Sequence, residues 1–512
     1  MMILLAAVLL AASILDAQPH AFESAETCAL CHATLRDETG QVPLWSGSMM
    51  AYSARDPYWK AKLRFEAGTT PAAAALIEDT CLRCHAPMQQ YPLRATGQRL
   101  RLDDLNALGS EGASCTVCHQ ITGEGLGTVR SFEGGFTINP DREIHGPHPD
   151  PFFRPMLMHS RYMPLENRTI VQSELCATCH TVITPVLDAK GEVRGQFIEQ
   201  APYLEWLLSD APRRGRTCQS CHVPVLKDRS GNARAAYIAH TPHGGYFPPT
   251  SPRTPFGLHS LSGGNVPMLG LMAELFPDEA AVLGAGRKRT ASMLQGALGL
   301  DVSVEADPEG QVRVLVQLTN RTGHKLPTGF PGRRLWLHFT VKDETDRTVF
   351  ESGGWDRQTG EITRGAQPHY EVIDQPDQVM IYETQMEDVN GVPTASLIRT
   401  ARFRKDNRLL PSGFDAGRDL PSGIEAARIA PVGVSADTNF GPGSDRVEYR
   451  LDLAEPGQYR VTVSACFQSI KPSDVLAMDP RQSREETVFT GLFARHNQPS
   501  VLATRETTVS VR

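Results

Sequence analysis

The chain has 512 residues, of which 40% are hydrophobic, and a formal net charge of −7 at pH 7. At roughly 150 residues per domain, this length predicts two to four domains, and the apolar content is sufficient for a buried core. The mildly negative charge and the lack of a long basic run argue against nucleic acid or an anionic membrane surface as a partner.

The N-terminus carries an apolar run from Ile3 to Leu15. A spanning helix needs about 20 apolar residues, whereas the core of a secretory signal needs only about 7–15. We therefore predict a signal peptide over residues 1–21, and a periplasmic or extracellular protein. No Lys or Arg precedes the run, so an uncleaved N-terminal anchor is the alternative and would be the only link to a membrane.

Ten of the eleven cysteines form five pairs separated by two residues, and each pair is followed directly by a histidine. The pairs are Cys28/Cys31, Cys81/Cys84, Cys115/Cys118, Cys176/Cys179 and Cys218/Cys221, and the histidines are His32, His85, His119, His180 and His222. We number these motifs from the first to the fifth in chain order.

The invariant histidine decides which chemistry these pairs serve. Attachment of haem c needs two thiols that reach two vinyl groups on one porphyrin edge, and an imidazole beneath the iron. A zinc site would need pairs of pairs, and a thioredoxin-like site would need a single pair with no fixed histidine. The pattern predicts five covalent haem c groups, held by the ten cysteines, with the five histidines as proximal iron ligands.

The spacing of the motifs predicts the architecture of the first half of the chain. Each macrocycle is a large apolar body, and covalent attachment makes it part of the core. We predict a pentahaem domain over residues 22–262, mostly irregular, with short helices around the motifs and loops rich in Gly and Pro that wrap the haems.

The second half follows a different pattern. Residues 263–299 predict connecting helices broken at Pro277. Apolar residues then alternate with polar ones, as from Val312 to Leu318 and from Tyr459 to Phe467. This alternation predicts an antiparallel β-sandwich over residues 300–512.

The second half also contains an isolated cysteine and an acidic loop. Cys466 lies on the strand face opposite Val461 and Val463, and we expect an unpaired thiol. The stretch from Asp437 to Asp445 is acidic enough to suggest calcium but lacks the glycine and terminal glutamate of an EF-hand, so we expect a plain loop. No motif indicates a second cofactor.

Several segments resemble the multihaem cytochrome c family related to the tetrahaem electron carrier of ammonia oxidisers. They are SGSMMAYSARDPYW, EGASCTVCHQ, SELCATCHTVITP, EQAPYLEWLLSD and TPFGLHSLSGGN, with NRTGHKLPTGFPGRRLW and RKDNRLLPSGF shared with uncharacterised members. The resemblance implies a pentahaem member that carries a C-terminal β-sandwich.

The resemblance also bears on the distal iron ligands. Relatives often have a ligating histidine where this chain has Met49 and Met50, so either methionine is a candidate ligand, and packing is the alternative role. His259 resembles the family's histidine after the last motif.

Further candidate ligands come from the positions of the remaining histidines. His148 and His159 lie in compact loops flanking the third and fourth motifs, and His324 lies in a tight turn between strands from which it could reach a haem. The alternative to iron ligation is that the His324 side chain caps that turn. His145, His240 and His243 are reserve candidates for distal iron ligands. We expect His338, His369 and His496 to be ordinary strand or loop residues that do not bind iron.

The leading function is a relay that passes electrons between a donor and an acceptor protein outside the cytoplasmic membrane. One alternative is a reductase or oxidase of a small nitrogen or sulfur compound, which needs one open iron position. Catalytic relatives often mark that haem with a proximal lysine, and no Cys-x-x-Cys-Lys occurs here, so we predict a carrier with no catalytic residues. A subunit of an extracellular electron-conducting assembly is the third hypothesis, and the sequence leaves the oligomeric state open.

Overall fold

The computed structural model describes residues 21–33, 39–306, 311–453 and 455–511. Residues 1–20 of the predicted signal peptide lie outside this range. Within the described ranges, no helix is long and apolar enough to cross a membrane.

The motif-bearing region is built from short helices, as predicted, and every motif lies on such a helix or at its end. The helices are α1 (Ala25–His32), α2 (Gln41–Ser46), α3 (Pro57–Thr69), α4 (Ala74–His85), α5 (Pro87–Ala95), α6 (Ala107–Ser110), α7 (Cys115–Cys118), α8 (Phe153–Ser160), α9 (Ser173–Ala177), α10 (Pro202–Leu207) and α11 (Cys218–His222). Local sequence sets their limits: α3 begins where the Asp56 carboxylate accepts the N–H groups of Tyr58 and Trp59, with Pro57 in the first turn.

Two small sheets also occur in this region, which the sequence did not predict. Strands β1 (Glu143–Gly146) and β2 (Met163–Glu166) pair in parallel, and β3 (Val182–Leu187) and β4 (Val193–Gln200) pair antiparallel. One-turn 3-10 helices complete it at Met49–Tyr52, Pro71–Ala73, Leu102–Asp104, Val129–Ser131, Arg168–Val171 and Pro212–Arg214.

The connecting segment forms α12 (Val266–Leu275) and α13 (Ala280–Ala297), with a 3-10 turn that begins at Pro277 between them. Gly286 on α13 lies so close to the loop after α2 that a Cβ atom there would be 1.7 Å from the Gly47 carbonyl oxygen. The two glycines therefore let α13 pack directly against the motif region.

The second half consists of antiparallel sheets, with one short parallel pair. Its strands are β5 (Leu298–Ala306), β6 (Gln311–Asn320), β7 (Arg334–Lys342), β8 (Thr348–Ser352), β9 (Val372–Ile373), β10 (Ile381–Glu387), β11 (Arg402–Asp406), β12 (Ser444–Asp452), β13 (Gly457–Gln468) and β14 (Ser500–Val511). The order β11-β10-β7-β13-β14, with β8 on β7, forms one sheet, and β5-β6-β12-β9 forms the other, in which β9 and β12 are parallel. Helices α14 (Pro472–Leu476) and α15 (Arg484–His496) lie between β13 and β14, and a 3-10 turn occurs at Ala426–Arg428.

The inner residues of these two sheets share one apolar core. Val316 on β6 and Val463 on β13 are fully buried in the same cluster. Phe339 on β7 stacks on Tyr449 of β12, with ring centroids 3.9 Å apart and planes inclined by 6°. The alternation of apolar and polar residues in the sequence therefore identifies the strand faces on which the two sheets pack against each other.

Cys466 is unpaired and lies on the other face of β13. That face is also covered, because Cys466 packs with Trp336 and Ile381 and is fully buried. Burial raises the pKa of its thiol to about 12, so the thiol stays protonated and unreactive in the folded protein.

Truncating the stacked ring at the sheet interface should loosen both sheets. We expect Phe339→Ala to cost about 3–5 kcal/mol and to reduce amide hydrogen-exchange protection in β6 and β12 as well as in β7. The matched control is Val501→Ala, at a side chain that is 47% exposed on β14, which should change protection little. A loss of hydrogen-exchange protection that is confined to β7 and its direct neighbours would contradict a shared core.

Candidate functional site

One continuous cavity runs through the motif region. Its volume is about 1850 Å³, and all ten motif cysteines and all five motif histidines line it. Pockets for a single drug-sized ligand measure about 300–1,000 Å³. The cavity is thus larger than one such ligand requires, and its walls are largely apolar, with Trp45, Leu63 and Ile144 among them.

The helical motifs determine how the thiols are presented. Two cysteines at i and i+3 on a helical turn lie on the same face. In α4 and α11 the histidine is the last helical residue, directly after that face. Each motif therefore directs two thiols and one imidazole toward the same part of the cavity.

Backbone carbonyls orient four of the five motif imidazoles. The Nδ1 atoms of His32, His85, His119 and His222 lie 2.9, 2.8, 2.6 and 2.7 Å from the carbonyl oxygens of Ile238, Ser53, His145 and Ser262. A carbonyl can only accept, so the proton is assigned to Nδ1, and Nε2 is left free to bind a metal. His180 differs, since its ring has no hydrogen-bond partner among the described residues.

Burial favours the neutral form of three imidazoles that line the cavity. It lowers the pKa of His85, His180 and His259 to about 4. Metals bind the deprotonated imidazole nitrogen, so at neutral pH these side chains are already in the form that ligates.

Two motif histidines face a second imidazole across the cavity. His119 faces His259 with ring centroids 6.2 Å apart and planes within 15°, and His222 faces His324 at 6.4 Å and 19°. Rings in direct contact are closer, as for Trp59 on His85 at 4.3 Å. Two metal–nitrogen bonds of about 2.0–2.1 Å, with roughly 1.1 Å from each nitrogen to its ring centre, give about 6.2–6.4 Å. Each pair therefore has the spacing of two ligands on opposite sides of one metal ion.

Thiol contacts reveal which motifs are neighbours. The Cys28 and Cys115 thiols lie close enough to interact, and this interaction raises the pKa of Cys28. Equivalent interactions raise the pKa of Cys84 through Cys179 and that of Cys176 through Cys218. The first motif therefore adjoins the third, and the fourth adjoins both the second and the fifth.

The third and fourth motifs complete the connection. Burial is the main cause that raises the pKa of Cys118 to about 12, and the charge of Cys179 contributes next. All five motifs therefore form one connected group with the fourth as its branch point.

The other two histidine candidates line the outer part of the cavity. His159 is exposed, and its Nε2 lies 3.3 Å from the Thr27 carbonyl oxygen of α1. His148 is partly buried, and burial followed by the charges of Arg253 and Arg168 lowers its pKa. Among the described residues, neither ring faces a motif histidine as His259 and His324 do.

Met49 and Met50 lie on the cavity wall in the 3-10 helix Met49–Tyr52. Both pack against an apolar cluster that includes Ala25 of α1 and Trp45, and Cys115 also touches it. The methionines are thus close to the first and third motifs, with packing contacts of their own.

Two of the three reserve histidines have structural partners, whereas His243 is exposed. His145 is buried beside His119, and its carbonyl oxygen accepts the hydrogen bond from Nδ1 of His119. The Nδ1 atom of His145 itself lies 3.2 Å from the Ile121 carbonyl oxygen. Both ring nitrogens of His240 lie 2.7 Å from carbonyl oxygens, those of Thr241 and Ala33.

His369 lies in the second half, beside the acidic loop. His369, Asp437 and Asp445 are near enough to hold a metal ion. However, the Asn407 amide donates to Nδ1 of His369, so its Nε2–H donates to Asp437 over 2.8 Å, while the Tyr382 hydroxyl donates to Asp445. Each of the three side chains therefore has a hydrogen-bond partner within the protein.

A buried charge network holds the turn that carries His324. Glu205 on α10 accepts the Lys325 backbone N–H at 3.1 Å and the Thr328 hydroxyl at 2.5 Å. Arg408 donates to Glu205, and both Arg408 and Lys325 pair with Asp406. The segments that contain Lys325 and Arg408 stood out in the sequence, but nothing in their spacing revealed that Glu205 joins them.

Comparisons with known proteins agree with this geometry. Residues 17–120, which hold the first three motifs, match the family described as cytochrome c554 and c-prime. The fold resembles the crystal structure of a penta-haem cytochrome c552 from Thermochromatium tepidum, at 19% identity and a TM-score of 0.56, over 96% of this chain and 100% of that one. Among curated protein sequences, none matches the chain.

The paired thiols, the free Nε2 atoms and the apolar cavity all fit covalently attached porphyrins. Zinc ligation would instead need thiolates from two motifs to converge on one point with a closed tetrahedral set. Together with the match of residues 17–120 to the cytochrome c554 and c-prime family, they support covalently bound haem c in this chain.

Proposed function

We propose that the chain holds five haem c groups and relays electrons between partner proteins outside the cytoplasmic membrane. The observation that carries this proposal is the spacing of the facing imidazoles, because two axial ligands leave no position for a substrate. Haem iron supplies reversible one-electron chemistry, and the protein supplies the ligands, the apolar surroundings and the short distances.

In this proposal the axial ligands come from both halves of the chain. His119 and His259 serve the third motif, and His222 and His324 serve the fifth. Met49 or Met50 is the candidate for the first motif, and His148 and His159 are the candidates for the second and fourth motifs in either order. His324 would then tie the second half, proposed as a β-sandwich over residues 300–512, to the pentahaem domain of residues 22–262 through the connecting helices of residues 263–299.

The connected motifs define the route. Electrons would pass between the first and third motifs, on to the fourth, and from there to the second or the fifth. Cys221 is the exposed cysteine of the motif set, so the fifth motif is the proposed docking edge for a redox partner. These features fit a secreted protein of the group related to the tetrahaem carriers of ammonia oxidisers, and we propose that the chain is a member of that group.

Catalysis at the second motif is the alternative with specific support. Among the described residues no imidazole faces His85, whose ring instead stacks on Trp59. Glu199, Glu66 and Lys62 line the cavity there, and burial raises the pKa of Glu199 to about 7. A carboxyl group that titrates near neutrality can donate protons, which reduction of a nitrogen or sulfur oxide would need.

The haem count can be measured directly. We expect the intact mass of the denatured, matured protein to exceed the polypeptide mass by five haems, because five motifs have complete attachment sets. Alkylation of the unfolded protein should label Cys466 alone, since thioethers do not react. The double variant Cys115→Ala and Cys118→Ala should lose one haem, whereas Cys466→Ser should keep all five. A matured sample with four haems or fewer would contradict the count.

The role of His324 has a spectroscopic test. We expect His324→Gly to convert one haem of the set from low-spin to high-spin, as counted by electron paramagnetic resonance, and added imidazole to restore it. The matched control is His338→Gly on β7, where the ring pairs with Glu351 at the surface. If His324→Gly retains every haem in the low-spin form without imidazole, His324 is not a ligand.

A further inference from the structure

Arg333 is a cation at the cavity wall, just before β7. Its Nη1 donates to the Thr328 carbonyl over 2.8 Å, its Nη2 donates to Asn265 Oδ1 over 3.1 Å, and the guanidinium lies 5.5 Å from the Phe330 ring centre. These contacts fix the guanidinium at the place where the second half of the chain meets the motifs.

Arg333 lacks the carboxylate that nearby cations have. Arg408 pairs with Glu205 and Asp406, and Arg334 pairs with Glu361. Within the described part of the chain, Arg333 forms no ion pair, and its Nε is buried without an acceptor. Burial lowers its pKa to about 10, so it remains charged at neutral pH. A buried charge of this kind normally requires an anion beside it.

The position of Arg333 identifies the motifs that such an anion would serve. Thr328, whose carbonyl oxygen accepts from Arg333, follows His324 in the same turn, and His324 faces His222 of the fifth motif. The fifth motif is joined to the fourth, because the Cys218 N–H donates to the Ser173 hydroxyl of α9 over 3.1 Å. Arg333 therefore lies beside the junction of these two motifs.

We propose that Arg333 binds a haem propionate at the junction of the fourth and fifth motifs and thereby raises the reduction potential there. This inference rests on the proposed pentahaem function. A guanidinium forms a two-pronged, charge-assisted pair with a carboxylate, which suits a propionate held at a fixed angle. A fixed positive charge beside the haem favours the reduced state, because reduction removes one positive charge from the iron.

Redox titration of charge variants tests this proposal. We expect Arg333→Gln to shift at least one of the midpoint potentials to lower values, with five haems still present by mass. Arg333→Lys keeps the charge without the fork, so its shift should be smaller. The matched control, Arg505→Gln, removes the same charge from an exposed position on β14 and should shift none of the potentials.

A crystal structure of the wild-type protein provides a second test that no folding defect can obscure. We expect a propionate oxygen about 2.7–2.9 Å from the guanidinium. A guanidinium that faces water, or potentials unchanged in Arg333→Gln with five haems present, would overturn the inference. A potential shift in the wild type that appears only on addition of nitrite would assign the site to a free anion instead. A sample without five haems would contradict the proposed function, and so the two failures are distinguishable.

Discussion

The cavity that joins the five motifs governs how the two halves of the chain are arranged. The walls of this cavity are largely apolar, so large apolar bodies fit it. Covalent attachment would keep such bodies in place whenever the region folds.

The same cavity explains why the two halves of the chain are joined so tightly. The second half closes the cavity with the turn that holds His324, with Phe330 and with Arg333. The buried network of Glu205, Asp406 and Arg408 holds that turn, although desolvating such charges is costly. If His324 is a ligand, as we propose, the value of this network is positional, because a ligand displaced by a fraction of an ångström no longer reaches its metal. Under that proposal the sheet region is a structural part of the haem site.

Local chemistry made some of this architecture predictable from sequence. The Cys-x-x-Cys-His spacing defines attachment within a few residues, and strict alternation between Val312 and Leu318 identified buried strand faces that the structure confirms. Pairing between distant segments was not predictable. His259 is a candidate through the family resemblance and His324 through its tight turn, but the motif that each faces depends on how loops cross the cavity. Arg333 and Glu205 went unnoticed, because their significance lies in which partners they have or lack.

The distinction between relay and catalyst depends on whether any iron has an open position, and carbon monoxide tests this most directly. A relay whose irons all keep two protein ligands should be low-spin when reduced, should bind carbon monoxide slowly or not at all, and should reduce nitrite or hydroxylamine no faster than a generic cytochrome. Rapid carbon monoxide binding to one high-spin haem, with reoxidation by either substrate over many turnovers, would contradict the account and indicate an enzyme.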